Sequence, residues 1–207
     1  MIKLEYLSHS SFLLTCGEKR IVFDPWYFGE AYYKQWFLWP VHPGTIPLDF
    51  DLILISHGHE DHLHNQTLRK LNKNAHIFFP FQWRKGIKPF LNHLGYNQVT
   101  EASSFKTYTI DEIKITYIGF SLESVIVVEY KDQVLVNIND ALNSNHHSAV
   151  NFIIEQINKR WPKIDILLSG WSGASYFPNQ IRYPGKDDVE IGKLREQYFA
   201  NNFCKFT

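Results

Sequence analysis

The sequence has only two cysteines in 207 residues, Cys16 and Cys204. That number builds no disulfide framework and fits a reducing compartment, so a cytoplasmic protein is expected. Charge of one sign is equally scarce in excess: 21 Lys+Arg balance 21 Asp+Glu. No global field therefore draws the chain to nucleic acid or to an anionic membrane, and a charged substrate must be handled locally. Long apolar runs are missing as well. The amino end alternates Ile2, Leu4 and Tyr6 with Lys3 and Glu5, which reads as a strand, so neither a signal peptide nor a membrane span is expected. Histidine, frequent in the first three quarters of the chain, does not occur after His147.

What is present is a length suited to one well-buried domain, residues 1–207, and an aromatic share of 16%. The aromatics suit either a dry pocket for a small-molecule substrate with a flat part or an aromatic core. The densest chemistry lies in ILISHGHEDHLH, residues 53–64. Leu52 to Ile55 form the continuous apolar run of a strand covered on both faces, and Ser56 to Leu63 its carboxyl-end loop, where open α/β sheets bind ligands. In an extended turn His57 and His59 point to one side and can share an ion, while Asp61 and His62 reach a second after a bend. The pattern His-x-His-x-Asp-His arises by chance in roughly one chain of this composition in a thousand. The spacing is that of a loop, which disfavours the helical His-Glu-x-x-His zinc-protease arrangement.

With this motif, His57, His59, Asp61 and His62 resemble the signature of the metallo-β-lactamase fold superfamily. YLSHSSF at 6–12, FDPW at 23–26, NIND at 137–140 and SGASYFP at 172–178 are similar to the branch containing CMP-N-acetylneuraminate hydroxylase and its bacterial relatives. The likeness runs over nearly the whole chain. It implies an α+β fold, the αββα sandwich of that superfamily, and leaves open whether its carboxyl-terminal strand and helix are complete. It also implies that Asp140 bridges two metals and that His9 and Asp24 lie near them; turn residues are the alternative for both. A complete two-metal site of this kind needs two further histidines. Laying Ser124 to Tyr130 on the pattern puts Gly119 or Phe120 where the first belongs, and no histidine follows for the second. His146 or His147 are candidates to substitute.

Along the rest of the chain, strands are expected at 2–7, 11–15 and 20–24, a short helix at 66–71, a strand at 76–80 and a helix at 81–94 interrupted by Pro89. Short strands over 99–119 precede a hairpin of 125–130 and 134–138. Val150, Ile153, Ile154, Ile157 and Trp161 share one face of a helix over 146–160, stopped by Pro162. A strand at 164–169 and a helix from Asp187, capped with Glu190, complete the pattern. The aromatic connection Trp26 to Pro47 reads as a wall or lid over the pocket, a membrane or dimer contact, or a segment packed on its own core. His64 is a candidate to support the ligands from behind.

The first expected function is a metal-dependent hydrolase of a small-molecule ester, lactone or phosphorylated or sugar-type substrate. His57, His59, Asp61, His62 and Asp140 would hold one or two ions that activate a water, and Asp61 would orient that water and accept its proton. Zinc is the default by ligand type; iron or manganese also suit imidazole with carboxylate. Two other functions stay open: an iron-dependent oxygenase with a separate electron donor, as the hydroxylase resemblance implies, and a domain that keeps the fold without catalysis. Nothing in the sequence points to an oligomeric state.

Overall fold

The computed structural model describes residues 1–39, 44–81, 85–142, 147–170 and 183–206, with the side chains of 199 and 202 excepted. Two mixed sheets form it. The first has the order β1 (Ile2–Ser8), β2 (Ser11–Cys16), β3 (Lys19–Phe23), β4 (Leu52–Leu54), β5 (His76–Pro80), β6 (Val99–Ala102). Its first three strands are antiparallel, and β3 to β6 run parallel. The second sheet has the order β11 (Ile166–Ser169), β10 (Gln133–Asn139), β9 (Glu123–Tyr130), β8 (Ile113–Phe120), β7 (Thr107–Ile110). It is antiparallel except for β10 and β11.

Side-chain parity sets the layers. In a strand, alternate residues face opposite sides. Ile21 and Phe23, Leu52 and Leu54, and Phe78 of the first sheet meet Ile113, Ile115, Tyr117, Ile126, Val128 and Leu135 of the second in one sheet-on-sheet core. The intervening Val22, Ile53, Ile77 and Phe79 face outward and are covered by Leu68 of α1 (Asn65–Lys70) and Leu91 of α2 (Ile87–His93). On the other side Val125, Val127, Val136 and Ile138 carry α3 (His147–Arg160) through Val150, Ile153, Ile154 and Ile157. Helix, sheet, sheet and helix are therefore stacked as expected, with both sheets buried on two faces as their apolar runs require. β11 and the final helix α4 (Asp188–Cys204) follow, and no described residue of α4 is buried.

One expected element begins late. Among the described residues helix appears only from Ile87, which leaves Pro89 in the first turn, where a missing amide hydrogen breaks no bond. A proline taken as an interruption is instead part of the helix start. In the aromatic connection, Trp26, Tyr27 and Ala31 are buried, whereas Tyr33, Phe37 and Trp39 stand out in solvent. The segment thus packs on the core at its beginning and exposes aromatics farther on. No described helix is long and apolar enough to cross a membrane.

Candidate metal centre

The His-x-His-x-Asp-His loop leaves the carboxyl end of β4, and its turn is closed by His62 N–H and Leu63 N–H donating to the His59 carbonyl. Four of the five sequence-assigned residues lie on it, and Asp140, at the end of β10 in the opposite sheet, reaches it. His57 Nε2 is 2.8 Å from His59 Nδ1. Asp140 Oδ2 lies 3.3 Å from His62 Nε2 and 3.8 Å from His57 Nε2. Asp61 Oδ2 is 3.2 Å from the same His62 Nε2. The convergence expected for His57, His59, Asp61, His62 and Asp140 is therefore present in the geometry.

Two further described residues join the cluster. His9, in the β1–β2 turn, brings Nε2 to 2.9 Å from Asp61 Oδ2. Glu123, at the mouth of the β8–β9 hairpin, joins His57 and His59. Among the described residues, three sets of side chains bring ligand atoms within 4.8 Å of one another: His57, His59 and Glu123; His57, His62 and Asp140; His9, Asp61 and His62. Each set is two imidazoles and one carboxylate. Gly119 and Phe120 stand where the fold's pattern calls for a further histidine, and Glu123 sits directly across the hairpin, paired with Phe120. His147, the described candidate for substitution, is exposed at the start of α3, its ring 5.7 Å from that of Tyr198, and belongs to none of the three sets. His146 and the stretch 172–178 lie outside the described residues.

Behind the cluster a buried polar network fixes its orientation. Asp24 is fully buried at the end of β3, and its carboxylate accepts from Ser56 N–H at 2.7 Å, Ser56 Oγ at 2.7 Å and Asn139 Nδ2 at 2.6 Å. It also faces His62 Nδ1 at 3.1 Å, so that ring nitrogen carries the proton and Nε2 is turned toward Asp61 and Asp140. His9, Asp24 and Asn139 all have positive φ, of 46°, 40° and 40°, a left-handed backbone that clusters at functional sites. His64, a candidate to support the ligands from behind, is engaged elsewhere: it caps α1 by accepting from Thr67 N–H, and its Nε2 lies 3.3 Å from the Glu30 carbonyl. Ser124 Oγ donates to the Ser56 carbonyl at 2.6 Å, tying the second sheet to the loop.

The charges are those of a site built for a cation. Burial pushes the His62 imidazole down, but Asp24, Asp140 and Asp61 outweigh it and hold its pKa well above the ordinary value. Burial raises Asp61, yet the close imidazole of His62 and hydrogen bonds with His9 and Tyr32 hold it far below the carboxylate range. Asp140 is likewise lowered, burial being overcome by His62 and His57. Burial, with His62 beside it, pushes His57 down to about 4, and burial, with Asp140, pushes Glu123 up to about 7. His62 Nε2 is buried and makes no hydrogen bond, although two carboxylate oxygens stand within ion-pair distance. An orphaned nitrogen facing carboxylates fits a metal ion, which would accept its lone pair and balance the acids.

Among curated proteins the chain is 29% identical over 215 residues to the cytidine monophosphate-N-acetylneuraminic acid hydroxylase of Danio rerio, covering 97% of this chain and 33% of that one. The inactive human homologue is also 29% identical, over 226 residues covering 96% and 38%. The chain thus spans about a third of the length of these relatives. Among solved structures, CmlA, a diiron β-hydroxylase from Streptomyces venezuelae, superposes with a TM-score of 0.61 at 17% identity, over 94% of this chain and 40% of that one. A protein described as a possible metal-dependent hydrolase from Veillonella parvula does so with a TM-score of 0.61 at 14% identity, over 95% and 83%. Both share the fold. The family model for a beta-lactamase superfamily domain matches residues 3–153, and the chain belongs to that superfamily.

Proposed function

We propose that the chain is the metal-binding core of an iron-dependent oxygenase that hydroxylates a small, sugar-type molecule, using electrons delivered by a separate protein or domain. One observation carries this reading: every ligand set combines two imidazoles with one carboxylate. That combination, with positions left open, suits non-haem iron, whereas ligand type taken residue by residue suggested zinc. Glu123 is the decisive member, a hard oxygen donor where a hydrolytic site of this fold was expected to have an imidazole. The likeness to a hydroxylase that the Danio rerio protein's name records, and to the diiron β-hydroxylase, supports the same direction.

On this reading His57, His59 and Glu123 hold one ion, His9, Asp61 and His62 the other, and Asp140 lies between them. Bound iron would supply the two-electron activation of dioxygen, one oxygen atom entering a C–H bond and the other leaving as water with two protons and two donated electrons. The chain's own residues bind, orient and shield. Asp24 fixes the His62 tautomer. Trp26, whose ring centroid is 5.1 Å from that of His9 and 5.5 Å from that of His64, walls one side against water. Asp61 has both oxygens engaged, Oδ1 by the Tyr32 hydroxyl and Oδ2 by His9 and His62, which supports a ligand in preference to a proton acceptor.

A hydrolase is the second reading, and the observation favouring it is the scarcity of cysteine. With Cys16 buried and Cys204 exposed at the far end of α4, this chain has no iron–sulfur ligand set of its own to pass electrons. The deciding experiment loads metal-stripped protein with ferrous iron under argon or with zinc. The proposal expects about two irons per chain, and dioxygen uptake when a reductant and a panel of nucleotide sugars and sugar acids are supplied. Ester or lactone cleavage by the zinc form, without dioxygen uptake by the iron form, would establish the hydrolase instead. Failure to bind either metal would leave a non-catalytic domain.

A further inference from the structure

The turn that follows Trp26 has a backbone no ordinary packing need explains. Tyr32, Tyr33 and Lys34 have φ of 53°, 56° and 66°, three successive non-glycine residues in the left-handed region. The turn is closed at its base by the paired Ala31 and Trp36, and Ala31 is fully buried. Tyr33, at its apex, is 97% exposed and gains nothing from the conformation. Tyr32 gains everything. Its N–H donates to Glu60 Oε2 at 2.7 Å, its ring packs edge-on to Trp36 at 5.0 Å, and its hydroxyl donates to Asp61 Oδ1 at 2.5 Å. A strained turn is thus pinned to the metal loop at two adjacent residues and aims one phenol at one carboxylate oxygen.

We infer that Tyr32 is a positioning residue that keeps Asp61 a one-oxygen ligand of the ion held by His9, Asp61 and His62, and so keeps a coordination position there open. This rests on the reading of those three side chains as an ion site. A carboxylate can bind a metal through one oxygen or chelate it through both. Here Oδ2 faces His9 and His62, while Oδ1 is occupied by the phenol. Without that donor Oδ1 is free to swing onto the same ion and fill a position that substrate or dioxygen needs. The partner of a ligating carboxylate orients it and sets its geometry. A merely structural tyrosine would satisfy a buried acid and leave the coordination number alone.

Cobalt(II) reads that number directly, since its visible absorption is much stronger in four- and five-coordinate sites than in six-coordinate ones. Metal-stripped wild type titrated with cobalt should take up two ions per chain, the second giving an intense band. Tyr32→Phe, which keeps the ring on Trp36, should still bind the second ion but with its band reduced several-fold. Glu60→Ala, which frees the turn's backbone and touches neither the phenol nor a proposed ligand, should show a weaker change in the same direction. A Tyr32→Phe band equal to wild type at equal occupancy overturns the inference and leaves the ion site standing. Uptake of a single cobalt by wild type overturns both. If Tyr32→Phe does not fold, Glu60→Ala decides, and an unchanged second band counts against the inference.

Discussion

Replacing Asp24 by Asn should destabilise the metal-stripped protein by about 3–5 kcal/mol, the range for breaking a buried charged pair. The size follows from four contacts on a carboxylate with no exposure. Asn can keep the Ser56 N–H on its oxygen, and it tolerates the left-handed φ of 40°, so backbone strain is not a confounder. Its amide nitrogen, however, replaces Oδ2 opposite Asn139 Nδ2, Ser56 Oγ and His62 Nδ1. The serine can rotate to accept and the histidine can change tautomer, but two amide donors then face each other in a dry site. The losses are a charge-assisted bond from Asn139, worth about 1.5–3 kcal/mol, and the counter-charge of His62. Urea unfolding at pH 7, followed by tryptophan fluorescence, measures it, and a fall in melting temperature of roughly 10 °C should accompany it. The exchange Asp24→Asn with Asn139→Asp restores an acid–amide pair and should recover at least about 1 kcal/mol. A loss below about 1 kcal/mol for the single variant, or no recovery in the exchange, would show that the network does not carry the weight assigned to it.

Three further outcomes follow from the same site. Glu123 is held at about 7 against an ordinary 4.5, so its contribution to folding is fully present below the ordinary value and lost as pH rises through 7. Metal-free wild type should therefore lose stability relative to Glu123→Gln between pH 5 and 8, on the order of 1 kcal/mol once its partial exposure is discounted, and a pH-independent difference would refute this. Because His62 is protonated well above the ordinary range in the metal-free site and Glu123, held at about 7, is about half protonated at pH 7, filling both sites at that pH should release more than one proton, measured by titration calorimetry in buffers of different ionisation enthalpy; no buffer dependence would contradict it. His147→Ala should leave metal stoichiometry and affinity within about twofold of wild type, since the side chain is exposed on α3; loss of an ion on equilibrium dialysis would restore it as a ligand.

The loop was legible as a candidate site because chemistry and position coincide in one short stretch, with four side chains of ligand type directly behind an apolar strand. The layers were legible for a related reason, since strands such as Val125 to Tyr130 carry apolar residues on both parities and must be covered twice. Glu123 was harder, and His9 was placed near the site only through the resemblance of YLSHSSF. Each opens or joins a hairpin far along the chain from the loop it meets, and a single sequence holds no signal for which hairpin mouth closes over which loop. Pattern placed the missing donor on β8, at Gly119 or Phe120, whereas the carboxylate that meets His57 and His59 lies across the turn on β9. The expectation of a histidine also concealed it, because a carboxylate can supply the same lone pair. Tyr32 was less legible still: none of Tyr32, Tyr33 and Lys34 is a residue that favours positive φ, so local propensity gives no hint of the turn that aims it.

These positions give the site a structural meaning beyond its chemistry. His9, Asp24 and the histidine loop belong to the first sheet, while Glu123, Asn139 and Asp140 belong to the second. The two sheets share an apolar core through most of their area, but at this edge the contact changes from hydrocarbon to paired acids, amides and imidazoles. Such a seam is held in the metal-free state by His62 as a cation among three carboxylates, a fully buried charge that costs desolvation. An ion bound as proposed would replace that proton with a stronger counter-charge and draw on side chains from both sheets. On the proposed reading, part of the binding energy would go into holding the two sheets together at this edge.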